Sequence, residues 1–125
     1  MKTTRVRSWL MAGLLIAVSA HAQTNTWTST AQPGGFWDES FNWSSGTPSI
    51  NHSANLITNA ASKSVVIDEC VQQFSPGSTT ISNLTLSAPT GSINTLSLTN
   101  TPDTGCTGIP QLTIVNGLTI LSGGV

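Results

Sequence analysis

The chain has 125 residues, of which 7% are charged, with four Lys or Arg against five Asp or Glu and a formal net charge of −1. Holding a phosphate backbone or an anionic lipid surface takes clustered Lys or Arg, so nucleic acid is not an expected partner and an anionic membrane is a poor one. Three of the four basic side chains, Lys2, Arg5 and Arg7, fall at the very start, leaving Lys63 to face Asp38, Glu39, Asp68, Glu69 and Asp103.

Those first basic residues precede the apolar run WLMAGLLIAV (Trp9 to Val18) and the small-x-small triplet Ala20-His21-Ala22. Basic start, short apolar run and small-residue site together predict a secretory signal peptide over residues 1–22, cleaved before Gln23. The run is about half of the roughly 20 apolar residues that span a bilayer. No Cys directly follows the cleavage site, which argues against a lipid anchor there. The expected location is outside the cytoplasm: extracellular, at the cell surface, or periplasmic.

Beyond residue 22 no segment carries a sustained 3.6-residue apolar period. Short runs with a two-residue period alternate instead with Gly, Pro, Asn and Ser, the pattern of strands and turns. In chain order the predicted strands are ANLIT (Ala54 to Thr58), SVVID (Ser64 to Asp68), TISNLTLS (Thr80 to Ser87), INTLSLT (Ile93 to Thr99), QLTIV (Gln111 to Val115) and LTIL (Leu118 to Leu121). Turns are predicted at Pro76-Gly77, Pro89-Thr90-Gly91, Asp103-Thr104-Gly105, Asn116-Gly117 and Gly123-Gly124.

Three of these strands share the template I-x-x-L-x-[LI]: Ile81 to Leu86, Ile93 to Leu98 and Ile109 to Ile114. In each, the last two apolar residues are two apart and so lie on one strand face, with Ser or Thr between them facing away. One such strand cannot bury its apolar face, whereas stacked copies form a continuous inner column. The predicted fold is therefore all-β, a fragment of a right-handed parallel β-helix (β-solenoid) with an aromatic N-terminal cap. A β-sandwich is the alternative, since it also gives short alternating strands with frequent turns.

Cys70 and Cys106 are the only cysteines. In an oxidising compartment a bridge between them is expected, closing a loop of 36 residues worth about 3–4 kcal/mol in the chain-entropy model. Two isolated Cys and a distant His52 fit no zinc spacing, and no loop carries several acids at calcium spacing, although Asp38, Asp68 and Asp103 are the residues a calcium ion would use. No metal site and no cofactor are expected. The acids occur as the sequential pairs Asp38-Glu39 and Asp68-Glu69, whose side chains point to opposite faces of a strand, so neither pair makes a facing dyad. Without a nucleophile-elbow or zincin motif, no catalytic residue is assigned.

The densest stretch is GGFWDESFNWSSGTP, Gly34 to Pro48, which follows TWTST (Thr26 to Thr30). Its spacing, with SVVID and the later L-x-[LI] ladder, resembles the N-terminal region of secreted bacterial β-helix proteins, including autotransporter passenger regions. Such chains often carry an Asp shortly after the Pro; here SINHSAN (Ser49 to Asn55) has none, so Asn51 or Asn55 is expected to hold that turn by side-chain hydrogen bonding. The resemblance implies an exported structural or adhesin-type passenger region without its own catalytic site. The alternative is a carbohydrate-binding or carbohydrate-active β-helix module whose active residues lie beyond this segment. Under the first reading the Trp residues cap the first coil, with Gly34-Gly35 and Gly46-x-Pro48 supplying the tight turns that fold the cap back. Under the second, Trp37, Trp43, Asn42 and Asp38 form a sugar platform.

The expected organisation is a signal peptide (1–22), an aromatic cap region (23–63) and β-solenoid strands (64–125) that end abruptly, with the remaining C-terminal part of a longer chain to follow. Expected partners are surface glycans or a host or neighbouring cell surface.

Overall fold

A computed structural model describes residues 23–30, 34–100 and 105–125. The expected signal peptide, and Asp103 with its turn, lie outside the described residues. Among the described residues the protein is all-β with little helix: β1 (Gln23–Thr26), β2 (Gly34–Phe36), β3 (His52–Ile57), β4 (Lys63–Ile67), β5 (Thr80–Leu86), β6 (Asn94–Leu98) and β7 (Thr113–Ile120), with one short α-helix, α1 (Glu69–Phe74). Successive strands alternate between two open sheets, ordered β1-β3-β5-β7 and β2-β4-β6. Every pairing between these strands is parallel. The hairpin-linked antiparallel meander of the alternative β-sandwich is not the arrangement found.

Alternation explains why the strands settle in this register. In β4, Lys63, Val65 and Ile67 are buried while Ser64 and Val66 are only half-buried, and in β5 Leu84 and Leu86 point inward with Thr85 between them. A one-residue slip would send the apolar set to water. The inward residues join one cluster of Trp27, Trp37, Trp43, Ile57, Val65, Ile67, Val71, Ile81, Leu84 and Leu86. At 150–250 Å² and about 25 cal/mol per Å², each buried Trp contributes roughly 4–6 kcal/mol of transfer free energy.

The repeated template serves the core unequally. Ile81, Leu84 and Leu86 are fully buried, whereas Ile93 and Ile109 are exposed and Leu96, Leu112 and Ile114 are half-buried. Beside the last strand, Leu84, Leu86, Leu96, Leu112, Ile114 and Leu118 help line an apolar cleft of about 250 Å³. The template thus packs where a strand is flanked on both sides in its sheet, as β5 is between β3 and β7, and loses burial towards β6 and β7.

Three local readings change. Asn116-Gly117 is not a turn: QLTIV and LTIL merge into β7, and a one-residue register shift there against Ile81–Asn83 marks a bulge. The bulge aims Asn116 Nδ2 at Ser82 Oγ (2.7 Å), and Gly117 lets Asn83 Oδ1 approach. Gly34-Gly35 belongs to β2 rather than to a turn. A Cβ on Gly34 would collide with the Ser64 carbonyl of the neighbouring strand. Asp68 ends SVVID as the N-cap of α1, its Oδ1 accepting from the N–H groups of Cys70 (3.0 Å) and Val71 (3.1 Å).

Buried amides tie the turns together. Asn94, fully buried, donates through Nδ2 to the carbonyls of Asn59 (2.9 Å) and Ser87 (2.6 Å) and accepts from Lys63 N–H (3.0 Å). Asn25 and Asn55, also fully buried, stack along the first sheet: Asn25 Nδ2 reaches Gly46 O (2.8 Å) and Asn55 Oδ1 (3.4 Å), and Asn55 Nδ2 reaches Asn83 O (3.2 Å). The turn after Pro48 is held otherwise than expected. Ser49 N–H donates to His52 Nδ1 (3.1 Å) and Asn51 N–H to Ser49 Oγ (3.3 Å), while Asn55 belongs to the buried stack. The Cys70–Cys106 disulfide is formed, with the two Cα atoms 5.2 Å apart, pinning α1 to the segment before β7.

Candidate functional site

The stretch Gly34 to Pro48 works first on strand edges. In their sheets β1 and β2 are terminal strands, and an unpaired strand edge is a template for association. Along β1 the returning segment takes up the free groups. Ser44 N–H donates to Thr26 O (2.8 Å), Thr26 N–H to Ser44 Oγ (2.9 Å), Ser45 Oγ to Thr24 O (3.3 Å), and Thr28 N–H to Asn42 O (2.7 Å). Along β2 side chains do the same: Phe36 N–H donates to Glu39 Oε2 (3.1 Å), and Asn42 Nδ2 donates to Phe36 O (3.4 Å) and to Glu39 Oε2 (2.6 Å).

Behind these edges the indoles pack on one another. Trp43 lies edge-to-face on Trp27 (centroids 5.1 Å apart) and on Trp37 (5.0 Å). Trp43 Nε1 donates to Trp37 O (2.8 Å) and Trp37 Nε1 to Ser78 O (2.9 Å). All three rings are buried.

Of the four platform residues named from sequence, Trp37 and Trp43 turn their faces inward, to one another and to the core. Asn42 is buried at the β2 edge. Asp38 faces elsewhere, accepting from Ser75 Oγ at Oδ2 (3.0 Å) and from Thr47 Oγ1 at its backbone carbonyl (3.0 Å). The four share a neighbourhood but do not form one exposed surface.

Two clefts flank β2. One, of about 320 Å³, is lined by Phe36, Asp38, Glu39, Asp68 and Cys70. It brings three carboxylates to one wall, but each holds local backbone or hydroxyl groups, and no group of three or more His, Cys, Asp or Glu among the described residues is arranged to bind a metal ion. The other, of about 560 Å³, is lined by Thr28, Ser29, Thr30, Gly34, Gly35, Phe36, Glu39, Phe41 and Asn42. Phe41 is 77% exposed there and Phe36 is also exposed, the two solvent-facing aromatics of the stretch. Sequence reasoning weighted the Trp residues over Phe36 and Phe41. The short 3-10 turn Ser40–Asn42 is what turns Phe41 out and Asn42 in.

No known family profile matches the chain, and neither the curated proteins nor the solved structures give a significant match. The disulfide fits an oxidising compartment, extracellular or periplasmic. Among the described residues no helix is long and apolar enough to cross a membrane.

Proposed function

We propose that the two sheets are faces of successive coils of a right-handed parallel β-helix, and that the chain is an exported, adhesin-type structural module. The observation that carries this reading is the pairing step. Asn55 pairs with Leu84, Lys63 with Asn94 and Asn83 with Gly117, intervals of 29, 31 and 34 residues, each spanning one strand of the other sheet. A chain that returns to the same sheet one position further on, always parallel, winds in one sense, and parallel crossovers are overwhelmingly right-handed. The blunted edges of β1 and β2 and the buried Trp cluster support an N-terminal cap, since a repeat stack needs a sealed end.

Export is supported by the disulfide and by the signal-like first 22 residues. The test is fractionation of a Gram-negative host expressing the whole chain, with thiol alkylation of each fraction. The expected result is a processed chain beginning near Gln23, outside the cytoplasm, with both Cys protected from alkylation. Unprocessed chain retained in the cytoplasm with free thiols would overturn the export reading.

A further inference from the structure

The cleft on the outer side of β2 combines features of different chemical kinds. Phe41 and Phe36 offer exposed aromatic surface, and Thr28 and Thr30 add hydroxyl-bearing side chains at its rim. Its inner wall carries a fixed polar pair, Glu39 and Asn42, held by a 2.6 Å hydrogen bond. Gly35 leaves room for that pair: a Cβ there would lie 2.7 Å from Asn42 Nδ2 and 2.9 Å from Glu39 Oε2.

The pair is only half used by the protein. Glu39 Oε2 accepts two hydrogen bonds, but none reaches Oε1 from the described residues. Asn42 is 2% exposed and spends its Nδ2 on Phe36 O and Glu39, while its Oδ1 has no hydrogen-bond donor among them. The described side-chain atoms that are both sealed from solvent and unpartnered are Trp27 Nε1 and Asn59 Oδ1; Asn42 Oδ1 is not among them, and Asn42 lines the cleft. A nearly buried amide oxygen without a donor is a group that a ligand hydroxyl satisfies.

We propose that this cleft binds a neutral carbohydrate, with sugar C–H faces on Phe41 and Phe36 and sugar hydroxyls donating to Glu39 Oε1 and Asn42 Oδ1. Charge selects the class. No Lys or Arg lines the cleft, and Lys63, the one such residue among those described, is buried, so nothing there attracts an anionic polymer. Glu39 Oε2 already accepts two N–H hydrogen bonds, and the acceptors left over, Glu39 Oε1 and Asn42 Oδ1, suit a ligand that brings several hydroxyl donors. The site differs from a Trp platform in using the exposed phenyl rings and a fixed acceptor pair. The proposal rests on the adhesin-type reading only for where the sugar would be met, and binding is measured independently of export.

The experiment is amide chemical-shift titration of the purified, disulfide-bonded chain with cellohexaose, xylohexaose, mannohexaose and maltohexaose, each to about 5 mM, several times a dissociation constant of about 1 mM. At least one should shift the amides of Phe36, Glu39 and Asn42 saturably. Phe41→Ala should weaken that binding about tenfold or more. Phe41 is exposed, so the variant retains its fold, and an unchanged spectrum elsewhere checks this. Phe74→Ala, an exposed phenyl on α1 outside the cleft, should leave binding unchanged. No response to any of the four sugars overturns the proposal. So does binding that survives Phe41→Ala, or tighter binding of alginate or polylysine at the same amides.

Discussion

Replacing Trp43 by Ala removes the indole around which the first strands are assembled. Trp43 is 4% exposed, packs edge-to-face on both Trp27 and Trp37, and donates from Nε1 to Trp37 O. Truncating a buried Trp to Ala costs about 3–5 kcal/mol, a figure that already includes lost packing. Because both aromatic pairs lose the same partner, the upper half of that range applies, about 4–5 kcal/mol. Native domains hold about 5–15 kcal/mol in all, so the variant should lose about a quarter or more of its stability. Urea unfolding followed by circular dichroism, with an unchanged m value, measures the difference. Trp43→Phe separates the contributions: it keeps a ring on the two partners, loses the Nε1 hydrogen bond, and should cost about 1–2 kcal/mol. A Trp43→Ala variant within about 1 kcal/mol of the parent would refute the claim that this cluster anchors the first strands.

The other predictions are local. Cys106→Ser releases a 36-residue loop and should lower stability by about 3–4 kcal/mol, read as a fall in the urea midpoint, while reduction of the parent with dithiothreitol should match it. Asn94→Ala leaves two part-buried carbonyls without their amide donor, and thermal unfolding should report a loss of about 1–3 kcal/mol; Ser or Asp at this position should restore little of it. Gly34→Ala sets a methyl group against the Ser64 carbonyl and should speed hydrogen exchange of the Trp37 amide, which donates to Val66 O (2.9 Å) across that strand pair. The apolar cleft beside β7 should bind anilinonaphthalene sulfonate in the native state, and Leu118→Lys should abolish the fluorescence gain.

The strands that were legible in the sequence are those whose own alternation carries the signal. In SVVID and TISNLTLS the apolar residues two apart are the ones that reach the core, and β4 and β5 differ from the expectation by a residue at their ends. β1 and β2 were not legible, because Gln23–Thr26 and Gly34–Phe36 have no apolar alternation and are strands only through pairing with β3 and β4. At six residues α1 is too short to display a helical period, and its visible mark was Asp68 as a cap. Asn116-Gly117 misled because the same dipeptide that favours a hairpin turn also suits a bulge. That the Trp residues gather near the chain start was legible from their spacing, but the work of Glu39, Asn42 and Ser44 on strand edges depends on contacts that no local pattern encodes. The sugar-platform alternative puts Trp37 and Trp43 on the surface, whereas the exposed aromatics of the stretch are Phe36 and Phe41, for a related reason. Which aromatic turns outward is set by the 3-10 turn at Ser40–Asn42, and Phe41 falls on the outer side.

Each strand pairs in parallel with the one two steps along the chain. Amide and Hα nuclear Overhauser contacts on isotopically labelled chain test it directly. The expected contacts link Asn55 with Leu84, Ser64 with Thr95, and Thr80 with Thr113, in the staggered pattern of parallel strands. Close Hα–Hα contacts between chain-adjacent strands, β5 with β6 or β3 with β4, would instead mark antiparallel hairpins and contradict the coil.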